Sequence, residues 1–312
     1  MRPPLPFRDR LRIPVVGAPL FIISNPDLVL AQCRAGVIGS FPSLNARPLS
    51  QLDEWLHELT SELAGGAAAP FAVNLIVHKS NGRLEEDLEL CVKWKVPIVI
   101  TSLGAREDVN QAIRGYGGIT LHDIIHNRFA RKAIEKGATG LIAVAAGAGG
   151  HAGTISPFAL VSEIREWFDG ILALSGSIAT GASVLGALAM GADLAYIGSA
   201  FISTTEARAS DAYKQMIVDS SASDILYTNL FTGVHGNYLR PSVVAAGLDP
   251  DNLPVGDPAK MDFGASGEKE FRVWKEIWGS GQGIGAVKAT VPAGELVDRL
   301  VREFAAAKAA LQ

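Results

Sequence analysis

Short apolar runs alternate with segments of helical period along the first two thirds of the chain. The apolar runs predict strands at Ile13–Ala18, Val37–Phe41, Phe71–Val77, Val96–Thr101, Gly118–His122, Gly140–Ala145, Ile171–Leu174 and Leu194–Ile197. Between them the periodicity predicts helices around Pro26–Ala35, Ser50–Leu63, Leu84–Lys93, Arg106–Ile113, Asn127–Lys136, Pro157–Trp167 and Ala182–Met190. The strand segments are continuously apolar rather than alternating, which is the pattern of strands covered on both faces. Gly137 and Gly191 stand where helix C-caps are expected, and Ser156-Pro157 reads as an N-cap followed by proline at the first helical position. Eight such units in series predict an α/β fold, a (β/α)8 TIM barrel, over a doubly wound open sheet.

The pattern changes after residue 208. A helix at Asp211–Val218, an aromatic and Asn-rich stretch, a proline-bearing loop at Pro241–Gly264 and a helix carrying Trp274 and Trp278 predict a smaller, mainly helical second domain over residues 209–285. An amphipathic helix, Ala293–Leu311, is expected to return to the barrel, so residues 1–208 and 286–312 form one unit.

Composition narrows the function classes. The 312 residues are 48% hydrophobic and 19% charged, with 28 Lys plus Arg against 32 Asp plus Glu, and this excludes a disordered chain. The mild acidity and the lack of a basic run argue against nucleic-acid or anionic-membrane binding. A mean hydropathy of +0.22 raises the question of membrane spans. The uncharged runs Gly137–Ser162 and Gly170–Ala192 are long enough, but glycines, small polar residues and Pro157 break them. The N-terminus lacks an apolar signal region. With 2 cysteines, Cys33 and Cys91, both in buried-looking helices, the expectation is a reduced, cytoplasmic protein.

Chemistry concentrates at strand ends. The seventh strand ends in Ser175-Gly176-Ser177 and the eighth in Gly198-Ser199, where backbone amides and hydroxyls can ring a phosphate. Between Arg165 and Arg208 there is no Lys or Arg, so such a site would rest on amides and hydroxyls. After strand six, Gly147-Ala148-Gly149-Gly150-His151 superficially fits a dinucleotide fingerprint, but Gly153, Thr154 and Pro157 delay the helix that reading needs. The better reading is a flexible loop offering one imidazole, His151, as a general base or anion donor. Asn74 and His122 are candidate ligand contacts on the same rim, and His122-Asp123 could pair with each other. The Phe231–Pro241 stretch, with His235, Asn237 and Tyr238, could form a lid touching substrate. Gly279–Gly285 follows a helix rather than a strand, which makes it a hinge. The spacings of a metal site, a nucleophile elbow or paired carboxylates are not found.

The set Ala18-Pro19, Phe71-Ala72-Val73-Asn74-Leu75, Ala148-Gly149-Gly150-His151-Ala152-Gly153-Thr154, Leu174-Ser175-Gly176-Ser177-Ile178 and Gly198-Ser199-Ala200-Phe201 resembles the nitronate monooxygenases, formerly 2-nitropropane dioxygenases. The resemblance spans nearly the whole chain, and its Gly-Gly-His-x-Gly motif is shared with flavin-dependent enoyl and quinone reductases. It implies an FMN-dependent barrel in which His151 matches the active-site histidine. Ser175, Gly176, Ser177, Gly198 and Ser199 match the FMN phosphate loops, and Ala18, Pro19, Asn74, His122 and Gly149 fall where the family contacts flavin. The chain departs at Val16-Gly17-Ala18-Pro19, where the family often has Met-Gln-Gly-Gly, and at His122, where strand five often supplies Lys. The activity implied is oxidation of alkyl nitronates, or nitroalkanes, by O2 to a carbonyl compound and nitrite. The alternatives are an NAD(P)H-dependent reductase of quinones or enoyl thioesters, a phosphate-binding barrel without flavin, and a non-catalytic flavin module. A small-molecule substrate and O2 are the expected partners, with a homodimer as the assembly to test.

Overall fold

The computed structural model describes residues 5–256 and 276–312. Its strands are β1 (Val15–Gly17), β2 (Gly39–Pro42), β3 (Phe71–Ile76), β4 (Ile98–Ser102), β5 (Ile119–Ile124), β6 (Gly140–Val144), β7 (Gly150–His151), β8 (Ile171–Ser175), β9 (Leu194–Ile197), β10 (Ile225–Thr228) and β11 (Gly236–Leu239). The helices are α1 (Pro26–Arg34), α2 (Leu49–Glu62), α3 (Leu84–Lys93), α4 (Glu107–Gly115), α5 (Asn127–Glu135), α6 (Pro157–Arg165), α7 (Gly181–Met190), α8 (Ser199–Ile202), α9 (Asp211–Asp219) and α10 (Arg240–Ala245). A final helix, α11, spans Ala293–Ala310.

Eight parallel strands run in the order β1-β9-β8-β6-β5-β4-β3-β2. A parallel bridge between Val16 and Ile38 joins the two ends, with Gly17 N–H on the Ile38 carbonyl at 2.8 Å. The result is a (β/α)8 barrel. The bore is filled by Val16, Ile38, Ala72, Ile98, Ile100, Leu121, Ile142, Ala173 and Leu194. The intervening positions, such as Val73, Val99, Leu141 and Leu172, pack outward against helices. Because successive side chains of a strand point to opposite faces, this division also fixes which polar residues at the strand ends can look into the barrel.

The later chain adds a small sheet to the expected helices and differs in detail at Trp278 and Pro241. The segment after residue 208 contributes strands as well as helices: β10, β11 and β7 form an antiparallel sheet in that order. Trp278 is not helical. Its carbonyl accepts the Leu239 N–H at 2.7 Å, and its ring stacks on Tyr213 at 4.8 Å. Trp274 and residues 257–264 of the expected loop lie outside the described residues. Pro241, expected in that loop, instead opens α10.

The C-terminal helix closes the barrel against α7. Arg299 donates to the Ala179 carbonyl at 3.1 Å, and Glu303 accepts the Gly181 N–H at 2.8 Å. The helices meet so closely that a Cβ at Gly181 would stand 2.1 Å from the Phe304 nitrogen and 2.2 Å from the Leu300 oxygen. Gly181→Ala should therefore push α11 off the barrel and cost roughly 1–3 kcal/mol in urea unfolding. Unchanged stability would show that this contact is not tight.

Candidate active site

A cavity of about 690 Å³ opens at the C-terminal ends of the barrel strands, the end where barrel enzymes place their chemistry. Of the residues singled out from sequence, Ala18, Pro19, Asn74, His122, Gly149, His151, Ser175, Gly198, Ser199 and His235 line it. Seven separate chain segments thus converge on one space.

The wall beneath the glycine loop is built from backbone. The Gly147 carbonyl accepts N–H groups from Ser177 at 3.3 Å and Gln282 at 2.9 Å. Gly281 N–H donates to Ser199 Oγ at 2.8 Å. Since Ser199 Oγ accepts there, its own hydrogen is left to donate toward the cavity. Gly176 and Ser177, expected to ring a phosphate, are not among the lining residues. Gly176 turns with φ +139°, and the Ser177 amide is spent on Gly147. Gly198 does line the space, and a Cβ there would meet Ala18 and Leu20 at an ordinary 3.5 Å.

His151 sits on strand rather than on a flexible loop. Gly150 and His151 pair antiparallel with Asn237 and Gly236. Its Nε2 lies 2.9 Å from Thr232 Oγ1, whose hydroxyl donates to the Val234 carbonyl at 3.1 Å. With that hydroxyl hydrogen already committed, Nε2 is the donor in this contact. Burial pushes the His151 pKa down to about 4, so the ring is neutral at physiological pH.

Asn237 and Tyr238, expected at the substrate, support the loop instead. Asn237 Nδ2 donates to the Ala148 carbonyl at 2.6 Å, and the fully buried Tyr238 packs edge-on against Phe231. His235 lines the cavity and stacks on Tyr227 at 5.1 Å.

On β5 the expected His122–Asp123 pair does not form. The strand runs through both residues to Ile124, so they face opposite ways. His122 pairs with Leu141, on the helix side, and bonds Thr101 Oγ1 through Nδ1 at 2.6 Å. Asp123 pairs with Ile142, on the bore side, and accepts from Ser102 Oγ. Asp123, Tyr196 and Tyr213 line the cavity, as do the exposed Arg47 and Lys132 at its rim. Of these, Asp123 was named from sequence only as a partner for His122, and Tyr196, Tyr213, Arg47 and Lys132 were not picked out. The signal for Asp123 was its parity with Leu121 along an apolar strand.

Burial also lowers the His122 pKa to about 4. Below about 6.5 an unfolded imidazole takes up a proton while the folded one stays neutral until about pH 4. The stability that His122 contributes is thus complete above pH 6.5 and is lost as pH falls toward 4. In urea melts, the stability of the wild type relative to His122→Gln should decline across that window. A constant difference would show that His122 titrates normally.

With the geometry established, the chain can be set beside known proteins. A family model described as nitronate monooxygenase matches residues 82–303. A nitronate monooxygenase of Paraburkholderia phytofirmans is 25% identical, over 93% of this chain and 92% of its own length. The solved nitroalkane oxidase of Streptomyces ansochromogenes superposes with a TM-score of 0.81 at 24% identity, covering 97% of this chain and 99% of its own. FabK of Thermotoga maritima superposes with a TM-score of 0.80 at 22% identity, covering 96% and 95%. These two likenesses show the shared barrel fold. The family match reaches from just before α3 to the C-terminal helix and includes the histidine strand and both serine-bearing strand ends, and by it the chain belongs to the nitronate monooxygenase family of oxidoreductases.

Proposed function

We propose that this chain is an FMN-dependent nitronate monooxygenase, oxidising alkyl nitronates, and nitroalkanes after deprotonation, with O2 to a carbonyl compound and nitrite. The observation that carries the reading is the neutral imidazole of His151, fixed by Thr232 on the wall of the cavity that Gly198 and Ser199 also line.

The residues present fit a flavin nucleotide. Gly198 leaves open a space that a Cβ would enter, and Ser199 keeps a hydroxyl hydrogen for a phosphate oxygen. Ser175 and Gly149 complete that side, while Ala18, Pro19 and Asn74 line the space beside the ring system. When bound, FMN supplies the redox chemistry between nitronate and O2. The chain supplies the rest. Ile76, Ile125, Val144 and Ile202 line the cavity with apolar surface and exclude water. For a neutral nitroalkane, the neutral His151 imidazole takes the α proton and the C–H electron pair moves onto the nitro group. His151 stays in the neutral form a general base needs well below pH 6.5.

The proposal extends to the surroundings. The described residues of the 209–285 segment act as a smaller unit, with β11 holding the histidine strand in place. Among the described residues no helix is long and apolar enough to cross a membrane, and Cys33 and Cys91 are free and buried, which supports a cytoplasmic location. One observation favours a second reading, an NAD(P)H-dependent reductase: Arg47 and Lys132 at the rim would suit a phosphate-bearing cosubstrate.

Purified protein should carry a flavin absorbance spectrum and consume O2 with propane-2-nitronate faster than it oxidises NADH with a quinone. The reverse preference selects the reductase, and failure to bind FMN ends both readings. His151→Ala should keep the flavin and lose about 10²-fold or more of turnover on neutral nitroalkanes. Gly198→Val should fold normally and purify without flavin, since its side chain fills the cradle. Full flavin occupancy in that variant would move the phosphate elsewhere.

A further inference from the structure

The bore-facing carboxyl of Asp123 has no part in the chemistry above, yet it stands in the cavity wall at the end of β5. Its hydrogen bonding is one-sided. Asn74 Nδ2 donates to the Ile100 carbonyl at 3.2 Å and to Ser102 Oγ at 2.7 Å. Ser102, having accepted, passes its own hydrogen to Asp123 Oδ2 at 2.5 Å. Oδ1 is shielded from solvent and meets no partner among the described residues.

A bare carboxylate offers about four acceptor sites and is stable when several donors or a cation meet it. Here a single hydroxyl does so. The flanking strands present only uncharged groups: Ser102 and Asn74 on one side, Val144 on the other. Tyr196 and Tyr213 also line the cavity, and burial, with the Asp123 charge added at Tyr196, keeps both phenols protonated. His122 shares the strand but faces the helices, and His151 is neutral. The exposed cations Arg47 and Lys132, with His78 and His235, line the same cavity. The carboxyl is thus built to keep its proton, as a buried acid with few donors does.

We infer that Asp123 is a substrate-binding residue that meets the anionic end of the ligand through the O–H of its neutral carboxyl, with Ser102 and Asn74 positioning it. This rests on the reading that the cavity receives a nitronate, and it gives that anion its recognition group. Burial places the pKa at about 7, with the Ser102 hydrogen bond opposing the rise. Below pH 7 the site donates a hydrogen bond to an entering anion. Above it, the site holds a negative charge, and an anion binds only as the carboxylate takes up one proton from water. No bond of the ligand changes in this step.

The test uses the flavin-loaded protein and isobutyrate, a non-oxidisable carboxylate of nearly the shape of propane-2-nitronate, followed by titration calorimetry from pH 6 to 9. The wild-type Kd should be flat at pH 6 and rise about tenfold per pH unit above 7, with uptake of about one proton per anion at pH 8. Asp123→Asn should show neither the rise nor the uptake. Ser102→Ala removes the one donor that favours the charged form, so its break should move above that of the wild type. A flat wild-type profile, proton uptake that persists in Asp123→Asn, or an unmoved break in Ser102→Ala would each overturn the assignment. Protein that shows the linked uptake but does not oxidise propane-2-nitronate keeps Asp123 as the anion group and drops the reaction proposed above. Oxidation without linked uptake keeps the reaction and drops Asp123.

Discussion

The carbonyl of Gly147 is the joint on which the site depends. Two backbone N–H groups from distant parts of the chain, Ser177 and Gln282, meet on this one oxygen. Through them the loop after β6, the end of β8 and the glycine segment before the last helix become one piece of wall. Gly281 then reaches Ser199 on the next strand end, and Asn237 holds the Ala148 carbonyl from the small sheet. Backbone can approach backbone this closely only where side chains are missing. At Gly149 a Cβ would stand 2.8 Å from the Gly281 nitrogen. The glycines that suggest a nucleotide loop in sequence therefore also serve to fuse three loops.

Shortage of charge then sets the electrostatics. Inside the wall the titratable groups lie in surroundings with few dipoles, so each moves toward its neutral form: His122 and His151 down, Asp123 and Tyr196 up. A neutral imidazole and a neutral carboxyl in one cavity provide an acceptor and a donor at the same pH, without the mutual attraction of an ion pair. Arg47 and Lys132 stay at the exposed rim, where water screens them and where they can draw anions toward the mouth.

Much of this was legible beforehand, for identifiable reasons. Continuously apolar runs such as Leu172–Leu174 can only be strands covered on both faces, and eight in series favour a closed barrel. A glycine or serine directly after such a run lies at the C-terminal rim, which is why Gly198, Ser199 and Ser175 were found. Asn237 and Tyr238 were misplaced because an aromatic and amide-rich stretch reads equally as a lid or as the support of one. Asp123 was read only as a partner for His122 because strand five was ended at His122, two residues short of Ile124. On a strand that continues, neighbouring residues face opposite sides and cannot pair.

The amino-acid sequence by itself determined the barrel, the rim on which the chemistry collects and the isolation of His151 among glycines, since these follow from local period and spacing. Only the tertiary structure decided that His151 lies on a strand paired to β11, that Ser177 faces the loop rather than the cavity, and that Asp123 rather than His122 looks into the bore. Those outcomes depend on hydrogen bonds between residues as far apart as Gly147 and Gln282, and on which face of a sheet the core occupies. No local pattern encodes either.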